Sequence, residues 1–185
     1  DSSLSYSGHS LPGFFRNYRK GHAMPLQPPS ARTALASTVM LGPALALATT
    51  EIMRWEGKRN DPYRDIVGVL TVCYGETQAP MRRYSDAQCA TMLAERVERD
   101  YARPILACVP GFATRPHAFA ASISLAYNIG TSAFCRSTAA RRFNAGNWSG
   151  GCDAMLAWNR AGGEVIRGLT RRREAERKLC RQSIG

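Results

Sequence analysis

Three residues in the stretch WEGKRNDPYRDIVGVLTVCYGET have types and spacing that could do chemistry together: Glu56, Asp65 and Thr71, nine and six residues apart. A carboxylic acid, a carboxylate and a hydroxyl are the groups needed to cut a glycosidic bond with water. The acid protonates the leaving oxygen, and the other two groups hold the water for attack. Neither a metal nor a cofactor is expected. The cysteines form no C-x-x-C pair and only three histidines occur, which leaves no ligand set for zinc.

These side chains need elements to hold them. Glu56 is read as the end of a short helix, 51–57, with Gly57 as its stop and Trp55 as an aromatic wall. Partial desolvation of that kind lets an acid keep its proton near neutral pH. Asp65 is placed in a turn, PYRD, ahead of the first strand of a hairpin, with Asp61 as the second choice. The β-branched run Ile66, Val67, Val69, Thr71 and Val72 supplies the hairpin, with Thr71 on its returning strand.

Helical patterns follow. Ser85 with Gln88 is a capping-box pair, and Cys89, Leu93, Val97 and Tyr101 share one helix face. Thr114 is expected to cap the next helix, whose stripe of Phe119, Ile123 and Tyr127 ends at Gly130. This segment is the least polar of the domain and is expected to be its core helix. Shorter helices are expected over 137–144, 152–160 and 170–181, separated by glycines. The residues from 51 to 185 thus read as one mostly helical α+β domain.

The formal charge of +11 points to a polyanionic partner or surface, without choosing among nucleic acid, anionic lipid and a bacterial envelope. The basic residues are interspersed with acids and no nucleic-acid reading motif occurs, so nucleic acid is not expected as a partner. Six cysteines fit disulfides in an oxidising space such as a periplasm. Many pairings are open in principle; proximity along the chain and its helices favours Cys73 with Cys89, Cys108 with Cys135, and Cys152 with Cys180.

Residues 1–29 show little periodicity and contain Pro12, Pro25, Pro28 and Pro29, so they are expected to be disordered or an extension, with Met24 a plausible start. Residues 33–50 then carry no charge, but Ala, Ser, Thr and Gly dominate and Pro43 sits in the middle. The length just reaches a membrane span, while the transfer energy is marginal. Three readings stand: a cleavable signal peptide ending near Ala46-Leu47-Ala48, a permanent anchor, or a segment that enters the membrane during export and later leaves it. Weak hydrophobicity disfavours the anchor and permits the third reading, which is preferred. In water the segment, taken as 30–50, is expected to fold back on the domain and bury Leu41, Leu45 and Leu47.

The pattern E-x8-D-x5-T, together with AYNIGTSAF (126–134) and WNRAGGEVIRGLTRRREAERKLC (158–180), resembles the phage-type lysozymes of glycoside hydrolase family 24. The resemblance covers most of residues 51–185. It implies a two-lobed fold, a small hairpin lobe and a helical lobe with the cleft between. It also implies hydrolysis of the β-1,4 bond between N-acetylmuramic acid and N-acetylglucosamine in peptidoglycan. Glu56 then matches the general acid, and Asp65 and Thr71 match the pair that positions or activates water, with inversion at the anomeric carbon. Asn128, Thr170 and Arg173 fall where the family lines the far wall of the cleft. The uncharged segment resembles that of the signal-arrest-release endolysins, which implies export, an inner-membrane tether and then a monomeric periplasmic enzyme in a Gram-negative host. A lytic transglycosylase or a cationic membrane-disrupting protein are the alternatives.

Overall fold

The computed structural model describes residues 31–65, 68–182 and 184. The expectations for residues 1–29 therefore lie outside the described residues. The first helix, α1 (Ala31–Trp55), is 25 residues long and passes through Pro43 without a break. The short helix expected over 51–57 is thus the last turns of an element that begins twenty residues earlier. No glycine or turn pair separates Thr50 from Glu51, so the uncharged segment and the acid-bearing turn form one rod. Among the described residues, no helix is long and apolar enough to cross a membrane.

Ala44, Ala48 and Ile52 recur every four residues along α1 and are fully buried. They face α4 (Pro116–Ile129), whose residues 118–126 are all buried. From residue 41 onward the segment packs on the domain. However, Leu41, Leu45 and Leu47 are only half-buried flankers, because the small alanines make the close approach.

The hairpin pairs β1 (Arg59–Arg64) with β2 (Leu70–Cys73), antiparallel, in the register Tyr63 to Thr71, with an irregularity between Arg59 and Tyr63. The first strand is therefore RNDPYR, and Asp65 follows it instead of preceding it. Local β-propensity misled here: Pro62 is tolerated in a two-stranded ribbon, where every strand is an edge. Beyond β2 the chain turns tightly, with Val72 bridged to Glu76, Gly75 at φ 88° and Cys73 at φ 57°.

Next comes α2 (Asp86–Arg96), opened by the expected capping box of Ser85 and Gln88. It runs through one wide turn, 97–102, into α3 (Arg103–Cys108). Cys89, Leu93 and Val97 are buried as the pattern predicts, while Tyr101 is half-buried. Thr114 does not cap α4. Pro116 at its first position presets the backbone, and the capping position is Arg115, with no side-chain bond.

The remaining helices are α5 (Thr131–Cys135), α6 (Thr138–Asn144) capped by Ser137, α7 (Trp148–Ala154) capped by Asn147, and α8 (Arg167–Arg181). Between α7 and α8 lies a tight hairpin, β3 (Arg160–Ala161) with β4 (Glu164–Val165). The helix expected over 152–160 is displaced because Gly151, read as a separator, lies inside α7. A Cβ there would sit 2.3 Å from Cε1 of Phe143, so the glycine serves packing and not chain reversal. All three disulfides pair as expected: Cys73–Cys89 ties β2 to α2, Cys108–Cys135 ties α3 to α5, and Cys152–Cys180 ties α7 to α8.

Candidate active site

Glu56 follows α1 directly, its N–H still bonded to the Ile52 carbonyl at 2.9 Å. Its side chain is 13% exposed and its Oε1 accepts a bond from Arg172 Nη1 at 2.7 Å. Trp55, the expected wall, instead donates its indole N–H to Glu51 at 2.6 Å. Shielding of the acid comes from α8.

On the hairpin, Asp65 closes the turn between the strands. Its N–H bonds the Val69 carbonyl at 2.9 Å, its carbonyl accepts from Gly68, and its Oδ1 accepts the Val69 N–H at 2.8 Å. The Val69 N–H thereby orients the carboxylate at a loop tip. Thr71 is 3% exposed, directly across from Tyr63 in the ladder, and its hydroxyl donates to the Val69 carbonyl at 2.9 Å. With its hydrogen committed, the Thr71 oxygen presents lone pairs, the side that accepts a bond from water.

Tyr63 reports how these parts share space. Burial raises its hydroxyl above the ordinary range, Arg59 opposes this, and Asp65 and Glu56 both add to it. One tyrosine thus lies in the field of both carboxylates. Burial likewise pushes Tyr127 on α4 up, against Arg96, with Glu56 contributing. Asp61, the second choice for the carboxylate, is exposed and paired with Arg83 at 2.8 Å.

The far-wall residues divide. Asn128 is exposed in the last turn of α4. Thr170, half-buried near the start of α8, bonds the Ile166 carbonyl at 3.2 Å and accepts from Asn159 Nδ2 at 3.3 Å. Arg173 is fully buried and its Nε lies 2.8 Å from Glu176 Oε2, so in this conformation it offers no surface to a sugar. Its neighbour Arg172 is the guanidinium that reaches Glu56.

Sequence reasoning did not find Arg172 or Ser124. Arg172 Nε lies 3.2 Å from Glu176 Oε1, its Nη2 donates to the Ser124 carbonyl at 3.3 Å, and the Ser124 hydroxyl donates to Glu176 Oε1 at 2.7 Å. The one signal for them was polarity inside an otherwise apolar helix, since Ser122 and Ser124 interrupt the core stripe of α4.

A helix-end acid followed by a hairpin that carries an aspartate and a threonine, with a larger set of helices after it, is the layout of a lysozyme-type glycosidase. The chain belongs to the phage lysozyme family, whose model matches residues 53–176. Among its relatives are the SAR-endolysin of Bacteriophage PS119, 37% identical over 164 residues and covering 82% of this chain and 95% of that one. The SAR-endolysin of Enterobacteria phage P21 is 36% identical over 165 residues, covering 83% and 96%. The fold is similar to the crystal structure of the active form of P1 phage endolysin Lyz, with a TM-score of 0.64 at 26% identity over 83% of this chain and 95% of that one. A P22 lysozyme mutant superposes with a TM-score of 0.61 at 28% identity, over 71% and 93%.

Proposed function

We propose that this chain is a phage endolysin, a muramidase that hydrolyses the β-1,4 bond between N-acetylmuramic acid and N-acetylglucosamine in peptidoglycan. The observation that carries the reading is the placement of Glu56, nearly buried at a helix end and sharing the field of Tyr63 with Asp65. In the reaction Glu56 gives its proton to the glycosidic oxygen as the bond to the anomeric carbon breaks. A water held by Asp65 and the Thr71 oxygen attacks that carbon and delivers a proton to Asp65. Proton exchange with solvent then restores both carboxyls. Direct attack by water inverts the anomeric configuration and requires the carboxyls to stand about 6.5–9.5 Å apart around the sugar. Asn128 and Thr170 are the far-wall groups proposed to meet the glycan.

Residues 33–50 are proposed to tether the enzyme at the inner membrane of a Gram-negative host before it acts, as a monomer, in the periplasm. The docked α1 is the form expected in water once the tether is lost. The net charge of +11 supports attraction to an anionic envelope.

The test is turbidity loss of purified sacculi by the protein and by Glu56→Gln, with end-group analysis of the sugars. Reducing muramic ends from the active protein, and no clearing by the variant, support a hydrolase with Glu56 as acid. Undiminished clearing by the variant refutes that assignment and moves the killing to membrane disruption. Clearing with 1,6-anhydro ends makes the protein a transglycosylase.

A further inference from the structure

Behind Glu56 lies a chain of charges that the proposed reaction does not use directly. Glu56, Arg172, Glu176 and Arg173 follow one another from the cleft into the core, with side-chain exposures of 13%, 6%, 0% and 0%. An arginine against a carboxylate favours the ionised form, typically by about 1–3 pK units within about 6 Å. A general acid needs the opposite, so the charge of Arg172 beside Glu56 calls for a counter-charge on its far side.

From the geometry we infer that Glu176 is a positioning residue for the reaction: its buried carboxylate pairs with both Arg172 and Arg173 and holds Arg172 where that guanidinium meets and orients Glu56. The inference rests on the reading of Glu56 as the proton donor. Glu176 Oε1 receives the Ser124 hydroxyl at 2.7 Å, Arg172 Nε at 3.2 Å and Arg173 Nη2 at 3.0 Å, while Oε2 faces Arg173 Nε at 2.8 Å. Two guanidinium N–H groups donate to Oε1, and the Arg173 Nε–Oε2 approach is an ion-pair contact without hydrogen-bond geometry, so three guanidinium approaches in all favour the carboxylate. Burial raises the Glu176 carboxyl above its ordinary value, and Arg173, Arg172 and Ser124 offset that only in part, so the ion pairs are what hold it ionised. Burial pushes Arg173 down to about 10, so it remains a cation at neutral pH.

Among the described residues, Tyr63 on β1, Tyr101 in the turn after α2 and Tyr127 on α4 also lie in the field of Glu56, and Asp65 acts on Tyr63 as Glu56 does. Burial raises the hydroxyl of each of these tyrosines, so they stay neutral through the working range.

The experiment is the pH profile of the initial clearing rate of sacculi for the wild type, Glu176→Gln, Arg173→Met and the double variant, with melting curves for each. A general acid must be protonated, so its loss forms the alkaline limb. Glu176→Gln is expected to move that limb down by about 1 pH unit, Arg173→Met to move it up, and the double variant to return it near wild type. A purely structural role predicts lowered melting temperatures with an unmoved limb, and that result overturns the proposal. So do shifts of the same sign in both single variants. If Glu176→Gln does not fold, Arg173→Met decides the matter, because an unmoved limb there also overturns it. Glu56→Gln run in parallel separates the two failures: if that variant still clears, the assignment of the acid is wrong. If it is inactive and the limbs do not move, only the role of Glu176 is wrong.

Discussion

Removing the Cys73–Cys89 bridge by Cys73→Ala with Cys89→Ala sets two effects of different size against each other. The half-cystines are 16 residues apart. Closing a loop of that length removes denatured-state entropy equivalent to about 3 kcal/mol. Both residues are buried, so alanine is the right replacement; serine would add the cost of a buried hydroxyl. Cys73 also holds φ at 57°, a left-handed conformation that costs a non-glycine residue about 1–2 kcal/mol. A second variant, Cys73→Gly with Cys89→Ala, relieves that strain, but glycine returns about 0.4–1 kcal/mol through the freedom of the unfolded chain. The bridge therefore wins. The alanine pair should lose about 3 kcal/mol, or roughly 6–12 °C in melting temperature for a chain of this size. The glycine variant should recover about 1 kcal/mol or less of this loss. Urea titrations of the oxidised proteins, compared at equal m-value, measure both differences. A loss below about 1 kcal/mol for the alanine pair would refute the entropic argument. A glycine variant less stable than the alanine pair would refute the strain argument.

Three further outcomes follow from packing, capping and charge. Gly151→Ala forces a methyl into the Phe143 ring and should cost about 1–3 kcal/mol, read as a lower melting temperature. Ser85→Ala removes the side-chain acceptor for the Gln88 N–H and should cost about 1 kcal/mol by the same measurement. Lys58, hydrogen-bonded to Asp86, holds that carboxyl below its ordinary value, with Asn60 adding a second bond. A depressed carboxylate stabilises the fold above its unfolded pKa, and the benefit is lost as pH falls through the folded one. Asp86→Asn should therefore melt slightly below wild type at pH 6, with the gap closing as pH falls below the ordinary aspartate range; a gap that widens on acidification contradicts this.

Short-range rules placed most of the helices correctly: the capping box at Ser85, the Cys89–Leu93–Val97 ladder and the core helix ending at Gly130 depend on neighbours within a turn or two, although the Thr114 cap failed. The three cysteine pairings followed proximity along the chain. Other errors arose where a distant partner decided the outcome. RNDPYR carries no strong strand signal, yet it pairs with β2 because no third strand needs the proline's missing N–H. Gly151 reads as a stop until Phe143 is placed beside it. In the run Arg171-Arg172-Arg173, adjacent positions on a helix point about 100° apart, so which guanidinium meets Glu56 depends on how α8 is rotated against α4. No pattern within the run encodes that rotation. The catalytic assignments for Glu56, Asp65 and Thr71 came from their joint spacing, and the hairpin register now places Thr71 across from Tyr63.

Every cysteine in the chain lies at or beyond position 73, after α1 has ended. The three bridges brace the hairpin and the later helices against one another, while α1 joins them through the fit of Ala44, Ala48 and Ile52 and through the Glu56–Arg172 ion pair. Oxidation can therefore finish the scaffold while the element that delivers the acid is still free to arrive. α1 is thus held by packing and an ion pair, whereas the hairpin and the later helices are cross-linked covalently.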